Sequence, residues 1–414
     1  MREMKDSGIE WIGEIPADWA KTRIGNLFRF SSGDSLTNEE IQDEGLYKVY
    51  GANGPRGYYH HTNIAGKHIL IGRVGALCGN IHVVDEPVWV TEHALIAEQI
   101  SPGVLTDFAA RVFESMNLGQ YSKASAQPVI ASSVVQRLQI PIPPSLEQRR
   151  IADYLDRKCS QIDAIIARQQ EVIEKLKDYK LSIITEAVTK GLNPDVPMKD
   201  SGVEWIGEIP DFWNVVPLKT CSDILPGYAF SSNDFDTENG TALLRGINVT
   251  PNGVRWEDVV YWNKPITEQL RAFELVAGDI VVGLDRPWVS GGTRVCWVTQ
   301  KDLPALLLQR VCRIRAKENI DSRWIYHWIA SKSFQEALSI ETTGVSVPHI
   351  STKQIGQFSI TLPPIEVQHQ ICDTLETKCY SIDKIADKKQ AIIDKLTEYK
   401  KSLIYEDVTG KKEV

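Results

Sequence analysis

The organisation of the chain is decided by two similar stretches, PPSLEQRRIADYLDRKCSQIDAII at residues 143–166 and PPIEVQHQICDTLETKCYSIDKIA at residues 363–386. After each Pro-Pro pair, which suits a helix start, seam positions recur at alternating steps of four and three residues. This heptad spacing is typical of a long helix that pairs with another helix. The predicted seam positions are Leu155, Cys159, Ile162, Ile166, Gln169, Ile173, Leu176, Lys180 and Ile183, and then Leu375, Cys379, Ile382, Ala386, Lys389, Ile393, Leu396, Lys400 and Leu403.

The two seams carry a polar residue at the same central position, Gln169 in the first and Lys389 in the second. If the helices pair antiparallel about a pseudo-twofold axis, these two positions meet or nearly meet. A polar seam residue can then fix register and orientation at some cost in stability. The alternative is that each helix packs only on its own domain, but the duplication favours pairing.

A second repeat precedes the first in each half of the chain. MKDSGIEWIGEIPADW at residues 4–19 and MKDSGVEWIGEIPDFW at residues 198–213 are identical at 13 of 16 positions. The order is therefore short motif, variable block and helix, twice over. The predicted segments are 1–19 (motif), 20–142 (first block), 143–195 (central helix), 196–213 (second motif), 214–362 (second block) and 363–414 (C-terminal helix).

The short motifs and the long helices, which we call the frames, have stayed alike in the two halves, while the variable blocks have diverged. We therefore expect the frames to share a partner and the blocks to carry specificity. In each short motif, two tryptophans and two isoleucines are expected to clamp onto the neighbouring block or helix. They are Trp11, Ile12, Ile15 and Trp19 in the first motif, and Trp205, Ile206, Ile209 and Trp213 in the second. A partner surface is the alternative.

Composition indicates an ordinary globular protein of several domains, with 414 residues, 43% hydrophobic and 24% charged. We expect a cytoplasmic chain without a membrane span. The seven cysteines are scattered without a C-x-x-C pair, and are expected to be reduced and mostly buried. The net charge is −8, but the two short motifs carry six of the excess negative charges, so the blocks are near neutral and a basic cleft is permitted.

Common catalytic signatures are absent from the sequence. Gly66-Lys67 lacks the other residues of a phosphate-binding loop, and no dinucleotide-binding, nucleophile-elbow or H-E-x-x-H pattern occurs. The His60-His61 pair has no second ligand group at metal spacing, which argues against zinc. The sequence therefore predicts a non-catalytic chain.

WIGEIPADW and WIGEIPDFW, the two Pro-Pro junctions, and the tails KLKDYKLSIITEAVTKG and KLTEYKKSLIYEDVTGK resemble the frameworks of specificity (S) subunits of type I restriction-modification systems. The resemblance covers essentially the whole chain. It implies an α+β fold, with two globular α/β target-recognition domains separated by two long helices that pair as an antiparallel coiled coil with an internal pseudo-twofold repeat.

The resemblance also implies a function. Each target-recognition domain would read one half of a bipartite, asymmetric site in double-stranded DNA, and the helices would fix the gap. The frames would dock two methyltransferase subunits, and restriction (translocating) subunits would join that complex. No cofactor is then expected on this chain, because S-adenosylmethionine, ATP and Mg belong to the partners.

The candidate DNA-contacting residues lie in Gly-rich loops, which allow close backbone approach, and at the end of each block. They are Arg56, Lys67, Arg73, Lys123, Ser125 and Gln127 in the first block, and Arg245, Asn248, Arg255, Arg286, Arg294, Ser346 and His349 in the second. Turns and surface ion pairs are the alternative explanation. Two rival functions stay open: a single-chain restriction-modification enzyme, and a coiled-coil scaffold or inhibitor that does not read DNA.

Overall fold

In the computed structural model, residues 2–122, 127–251, 253–289, 292–339 and 348–413 are described. The chain forms two compact units. Unit 1 contains residues 1–169 and 391–414, and unit 2 contains residues 170–390. The unit boundaries fall inside the two long helices, so each unit combines one short motif, one variable block and a part of both helices. The six segments drawn from the sequence stay a prediction.

In chain order, the first half contains eleven labelled strands and three labelled helices among its described residues. They are β1 (Met4–Ile9), β2 (Gly13–Pro16), β3 (Ala20–Arg23), β4 (Phe28–Ser32), β5 (Tyr47–Gly51), β6 (Gly54–Tyr59), β7 (His68–Gly72), β8 (Ile81–Val84), β9 (Trp89–Val90), β10 (Ala94–Gln99), α1 (Thr106–Ser115), α2 (Ser132–Arg137), β11 (Gln139–Ile142) and α3 (Ser145–Lys190).

The block of unit 1 is built on an antiparallel sheet in the order β4-β10-β7-β8. Beside it lies a second sheet, β6-β5-β9, in which β5 and β9 run parallel. Strand β7 is apolar on both faces because both are covered. Ile69 and Ile71 enter the core that the block shares with the long helices, while Leu70 faces a separate core.

The second half has the following described elements: β12 (Met198–Asp200), β13 (Glu208–Pro210), β14 (Asn214–Pro217), α4 (Leu218–Cys221), β15 (Ser222–Pro226), β16 (Phe235–Asp236), β17 (Thr241–Leu244), β18 (Val249–Thr250), β19 (Gly253–Val254), β20 (Val260–Trp262), α5 (Glu268–Arg271), β21 (Ile280–Gly283), β22 (Trp288–Val289), β23 (Gly292–Thr293), β24 (Val295–Trp297), β25 (Ala305–Leu307), β26 (Val311–Ala316), α6 (Ser322–Ala330), α7 (Lys332–Ser339), α8 (Thr352–Gln357), β27 (Ser359–Leu362) and α9 (Ile365–Val408).

The block of unit 2 repeats the topology of the first block although their sequences show little similarity. Its main sheet has the order β15-β26-β21-β24, and its second sheet, β16-β20-β17-β25, again contains one parallel pair, β17 and β25. Glycine is required at one equivalent point in both blocks. A Cβ at Gly33 would lie 2.3 Å from the carbonyl oxygen of Val90, and one at Gly227 only 1.8 Å from that of Leu308. The two blocks are therefore two versions of one scaffold.

Seam residues near the ends of the two long helices are buried between α3 and α9. Leu155, Cys159 and Ile162 near the start of α3 pack in one core with Leu403 and Val408 near the end of α9. Within unit 2 the arrangement is reversed, because the end of α3 packs with the start of α9, as Ile184 and Ala187 do with Leu375. The helices thus pair antiparallel within each unit. Gln169 and Lys389 fall in different units, so their meeting stays a prediction.

Two ion pairs on the helices obey the same duplication. Lys400 of α9 contacts Asp163 of α3 at 2.8 Å in unit 1, and Lys180 of α3 contacts Asp383 of α9 at 2.7 Å in unit 2. Each lysine and each aspartate is 220 residues from its counterpart. The exchange of equivalent partners shows that one antiparallel register serves both units.

A buried glutamine joins each frame helix to its block. Gln148 donates to the carbonyl oxygens of Gly103 (3.0 Å) and Pro143 (2.9 Å), and accepts from the backbone N–H of Leu105 (2.7 Å), immediately before α1. In unit 2, Gln368 makes the equivalent bond to the backbone N–H of Asp321, the N-cap of α6. Each carboxamide thereby fixes a block helix against the long helices.

The short motifs are clamped as predicted. Trp19 and Trp213 are each only 1% exposed. The indole of Trp19 donates to the Glu147 carboxylate at the start of α3 (3.0 Å) and lies over Gly410 after the end of α9, while Trp213 lies over Gly191 after the end of α3. Trp205 is the least enclosed of the four tryptophans, at 37% exposed.

Candidate functional site

The two blocks present equivalent edges where β7 and β21 end. The backbone hydrogen bonds that define them are matched: Arg73 N–H to His93 O (2.8 Å) and Ile130 N–H to Arg73 O (3.0 Å) in unit 1, and Leu284 N–H to Arg310 O (3.0 Å) and Ile350 N–H to Leu284 O (2.9 Å) in unit 2. Isolated bridges join Val74 to Val129 and Asp285 to His349. Position for position, Val74 corresponds to Asp285, His93 to Arg310 and Val129 to His349.

In unit 2 this edge carries a cluster of charged side chains, which we call the Asp285 cluster: Asp285, Arg286, Arg294, Arg310 and His349. The Asp285 carboxylate accepts from Nδ1 of His349 (2.7 Å) and contacts Nη1 of Arg310 at 3.4 Å. Nη1 of Arg294 donates to the backbone oxygen of Asp285 (3.1 Å). The cluster therefore holds three arginines and one aspartate, giving a locally basic edge in a block of neutral net charge.

The predicted residues Arg286 and His349 are exposed in this cluster, whereas Arg294 is half-buried. Burial lowers the pKa of Arg294, while the charge of Asp285 acts in the opposite direction. Its Nε also reaches the carbonyl oxygen of Val249 at 3.4 Å. Arg294 thus joins the backbone at Val249 to the backbone at Asp285, and it contributes positive charge to the edge.

The other predicted residues of unit 2 have different roles. Asn248 is fully buried, and its carboxamide accepts from the N–H of Arg245 (3.2 Å) and donates to the oxygen of Arg255 (2.8 Å). The prediction that Asn248 is presented to DNA is wrong in this conformation, because the side chain closes its own turn. Arg245 donates to the oxygen of Asp258 and is half-buried, while Arg255 is exposed and pairs loosely with Glu257 at 3.5 Å.

In unit 1, the predicted arginines lie near the equivalent edge and are less clustered. Arg73 is half-buried and donates to Oγ of Ser32 (3.1 Å), while Arg56 is exposed on β6 and donates to Asn38 (2.9 Å). Lys67 forms an ion pair with Asp107 of α1 at 2.6 Å, so its charge is compensated within the block.

Gln127 is exposed at the start of a described segment. Lys123, Ser125 and Ser346 lie outside the described residues. Sequence reasoning missed Asp285 and Arg310, which complete the cluster. It also missed Gln148 and Gln368, although their identity in the two repeated junctions was a signal that could have found them.

A second candidate feature, present in each unit, is a set of apolar side chains exposed on the long helices. Ile165 and Ile385 are 46% and 45% exposed, and Tyr179 and Tyr399 are 57% and 54% exposed. Ile392 and Tyr399 of unit 1 are spaced by seven residues and therefore share one face of α9, whereas Ile385 belongs to unit 2. We call these five residues the helix stripe. Basic residues follow it at matching positions, Arg168 and Lys175 on α3, and Lys388 and Lys395 on α9.

Among the described residues, no group of three or more His, Cys, Asp or Glu side chains is arranged to hold a metal ion. The described helices also include none that is both long and apolar enough to cross a bilayer. Six of the cysteines are buried and Cys78 is half-buried, all of them as free thiols.

Comparison with known proteins places these features in a family. The family described as "Type I restriction modification DNA specificity domain" matches residues 16–175 and 210–395, once in each half of the chain. The chain is 28% identical to the type I restriction enzyme MjaVIII specificity subunit of Methanocaldococcus jannaschii, over 96% of this chain and 93% of that protein. It is 35% identical to the EcoprrI specificity subunit of Escherichia coli, over 35% of this chain and 37% of that protein.

One solved structure supports the fold. A chain from a structure described as the structural basis underlying complex assembly and conformational transition of the type I R-M system superposes with a TM-score of 0.66. The superposition covers 96% of this chain and 99% of that chain at 14% identity, so the likeness is one of fold. The predicted α+β class is confirmed.

Proposed function

The chain belongs to the type I restriction-modification DNA specificity family, and we propose on that basis that it is the non-catalytic subunit that reads a bipartite, asymmetric DNA sequence. Each block reads one half of the site. The observation that carries the proposal is the pair of equivalent edges, which have one backbone scaffold and different side chains. Val74, His93 and Val129 in unit 1 occupy the positions of Asp285, Arg310 and His349 in unit 2.

Such a pair of edges suits an asymmetric target. Sequence is read by hydrogen bonds and apolar contacts to base edges, so two edges of different chemistry select different bases. The near-neutral charge of the blocks is compatible with this function because charge is concentrated locally, as in the Asp285 cluster. Phosphate contacts from the same edge would add affinity without sequence preference.

The long helices set the gap between the two half-sites in this proposal. α3 has 46 residues, which corresponds to roughly 70 Å at about 1.5 Å per residue. Linking two weak readers raises their combined affinity only when the linker matches the distance between their sites. The matched ion pairs of Lys180 with Asp383 and Lys400 with Asp163 support a fixed register within each unit.

Two methyltransferase subunits dock on the frames in this proposal, and restriction subunits join through them. The helix stripe supports such docking, because an exposed apolar face with heptad spacing fits an amphipathic partner helix. Its duplication at an offset of 220 residues suits two copies of the same partner. S-adenosylmethionine, ATP and Mg then belong to the partner subunits.

Exchange of one block tests the proposal. Residues 20–142 would be replaced by the corresponding block of another family member, and the methylated sequence would be mapped in cells with the cognate methyltransferase. We expect one half of the site to change while the other half and the gap are kept. The matched control replaces residues 214–362 and should change the opposite half. A change in both halves from either exchange would contradict the assignment of one block to one half-site.

A further inference from the structure

Two exposed arginines in unit 2 have a left-handed backbone. Arg286 has φ of 45° and Arg310 has φ of 67°. This conformation suits glycine, because the Cβ of an L-residue approaches the following carbonyl oxygen. Residues kept in such a region against their preference are concentrated at functional sites. Both positions belong to the Asp285 cluster, so the unfavourable backbone coincides with the basic edge.

The surrounding backbone holds both residues in this conformation. The N–H of Arg286 donates to the oxygen of Pro348 (2.8 Å), and the oxygen of Arg310 accepts from the N–H of Leu284 (3.0 Å). The N–H of Arg294 donates to the oxygen of Pro287 (2.7 Å). Three chain segments are therefore tied together, and two arginine side chains project from the places where glycine would fit best.

The two guanidinium groups are available to a ligand. The side chain of Arg310 is 75% exposed, and its 3.4 Å contact with Asp285 is long for an ion pair. Arg286 is exposed, and its guanidinium forms no ion pair or hydrogen bond with the part of the chain that the structure describes. An unsaturated pair of forked donors suits a planar acceptor with two acceptor atoms.

The carboxylate of Asp285 argues for bases over phosphates as the ligand. A patch that only binds phosphate is weakened by a fixed negative charge, whereas a reading site gains from a group that orients its donors. Asp285 contacts Arg310 and fixes Nδ1 of His349, so it acts as a positioning residue. Nε2 of His349 stays available for another partner.

We propose that Arg286 and Arg310 read guanine in the major groove of the half-site assigned to unit 2, and that Asp285 orients Arg310. The inference rests on the proposed function. Guanine offers the acceptors O6 and N7 side by side, and a forked arginine contact to these atoms is the commonest specific contact to a base. The half-site read by unit 2 therefore contains guanine.

Glycine substitutions separate reading from folding. Arg286→Gly and Arg310→Gly remove the side chain and match the left-handed backbone, so the melting temperature should not fall. In the complex with the methyltransferase, each variant should lose roughly 5- to 150-fold in affinity for the mapped site, the range for one bidentate base contact. Asn319→Gly, at a left-handed residue outside the cluster, and Arg271→Ala, at an exposed arginine of α5, are the matched controls and should keep full affinity.

Modified DNA identifies the base. Duplexes of the mapped site would carry 7-deazaguanine, which lacks N7, at one guanine at a time in the half-site assigned to unit 2. The wild-type complex should bind one or two of these duplexes more weakly, while Arg286→Gly or Arg310→Gly should be insensitive at the same position. Asp285→Asn should reduce the ratio of specific to non-specific affinity, because Arg310 loses the carboxylate that orients it while negative charge is removed from the edge.

The outcomes are distinguishable. If wild-type complex methylates no bipartite site, the proposed function fails. If it does, but the glycine variants keep wild-type affinity and motif, the guanine-reading inference fails alone. Equal weakening of specific and random DNA by these variants would show phosphate contacts and would also overturn it.

Discussion

Replacing the buried Asp407 with alanine should stabilise the protein. Asp407 lies near the end of α9 and is fully buried, and neither carboxylate oxygen has a hydrogen-bond partner among the described residues. Burial raises its pKa from 3.8 to about 6; the positive charge of Lys412 lowers the pKa by a smaller amount, and the negative charge of Glu406 adds to the rise. Ala187, the equivalent residue of α3, is also buried, which shows that this environment accepts a methyl group.

The magnitude follows from the pKa of Asp407. The pKa is higher by about two in the folded state, which corresponds to a destabilisation of about 3 kcal/mol for the charged carboxylate, because a pKa difference of one is worth about 1.36 kcal/mol. For a carboxyl group whose pKa is raised on folding, the penalty is complete above the folded pKa and disappears below the unfolded pKa. Asp407→Ala should therefore raise the free energy of unfolding by about 3 kcal/mol near pH 8, and by about half of that near pH 5.

Denaturant unfolding of both proteins at the two pH values, followed by tryptophan fluorescence, measures the effect. Hydrogen exchange at the end of α9 localises it to unit 1. Ala187→Asp is the matched reverse change, and should destabilise unit 2 at high pH and less at low pH. If Asp407→Ala does not raise the free energy of unfolding near pH 8, or raises it equally at both pH values, the raised pKa of Asp407 is not the source of the effect.

Three further changes test the frames. Gln148→Ala should lower the free energy of unfolding by about 3 kcal/mol, because three buried hydrogen bonds of about 1 kcal/mol each are lost, and an unchanged denaturation midpoint would contradict this. Ile382→Asp places a charge in the buried seam and should lower the free energy of unfolding by at least about 3 kcal/mol. It should also make the gap between the half-sites less strictly defined, and mapping of the methylated sites measures this. A double-mutant cycle on Lys180 and Asp383 should give a coupling of less than about 1 kcal/mol, since Asp383 is half exposed, and a larger value would show a stronger pair than expected.

The long helices could be predicted well because their seam depends on local helical periodicity. From Leu155 to Leu403 the seam positions that were read from the heptad spacing are buried or half-buried. The junction glutamines were within reach of the same comparison, since Gln148 and Gln368 occupy the same place in both copies.

The shared scaffold of the blocks could not be predicted from side chains. It is defined by backbone bonds such as Arg73 to His93 and Leu284 to Arg310, and backbone bonds accept many side chains. The two blocks therefore keep the same sheet topology although their sequences show little similarity.

The candidate site was predicted in part. Arg286 and His349 were found because they lie in segments that contain glycine and proline. Arg310 directly precedes the buried strand β26, and nothing in the sequence indicates its left-handed backbone. Asn248 was misassigned because its loop looks flexible, whereas its carboxamide closes a capped turn.

Mapping of methylated bases across the genome tests the central claim most directly. Cells that express this chain with its cognate methyltransferase would be compared with cells that lack the chain. We expect one bipartite motif, with two unlike halves and a fixed gap, that disappears together with the chain. An active methyltransferase that gives the same methylation pattern with and without this chain would contradict the assignment of sequence reading to it.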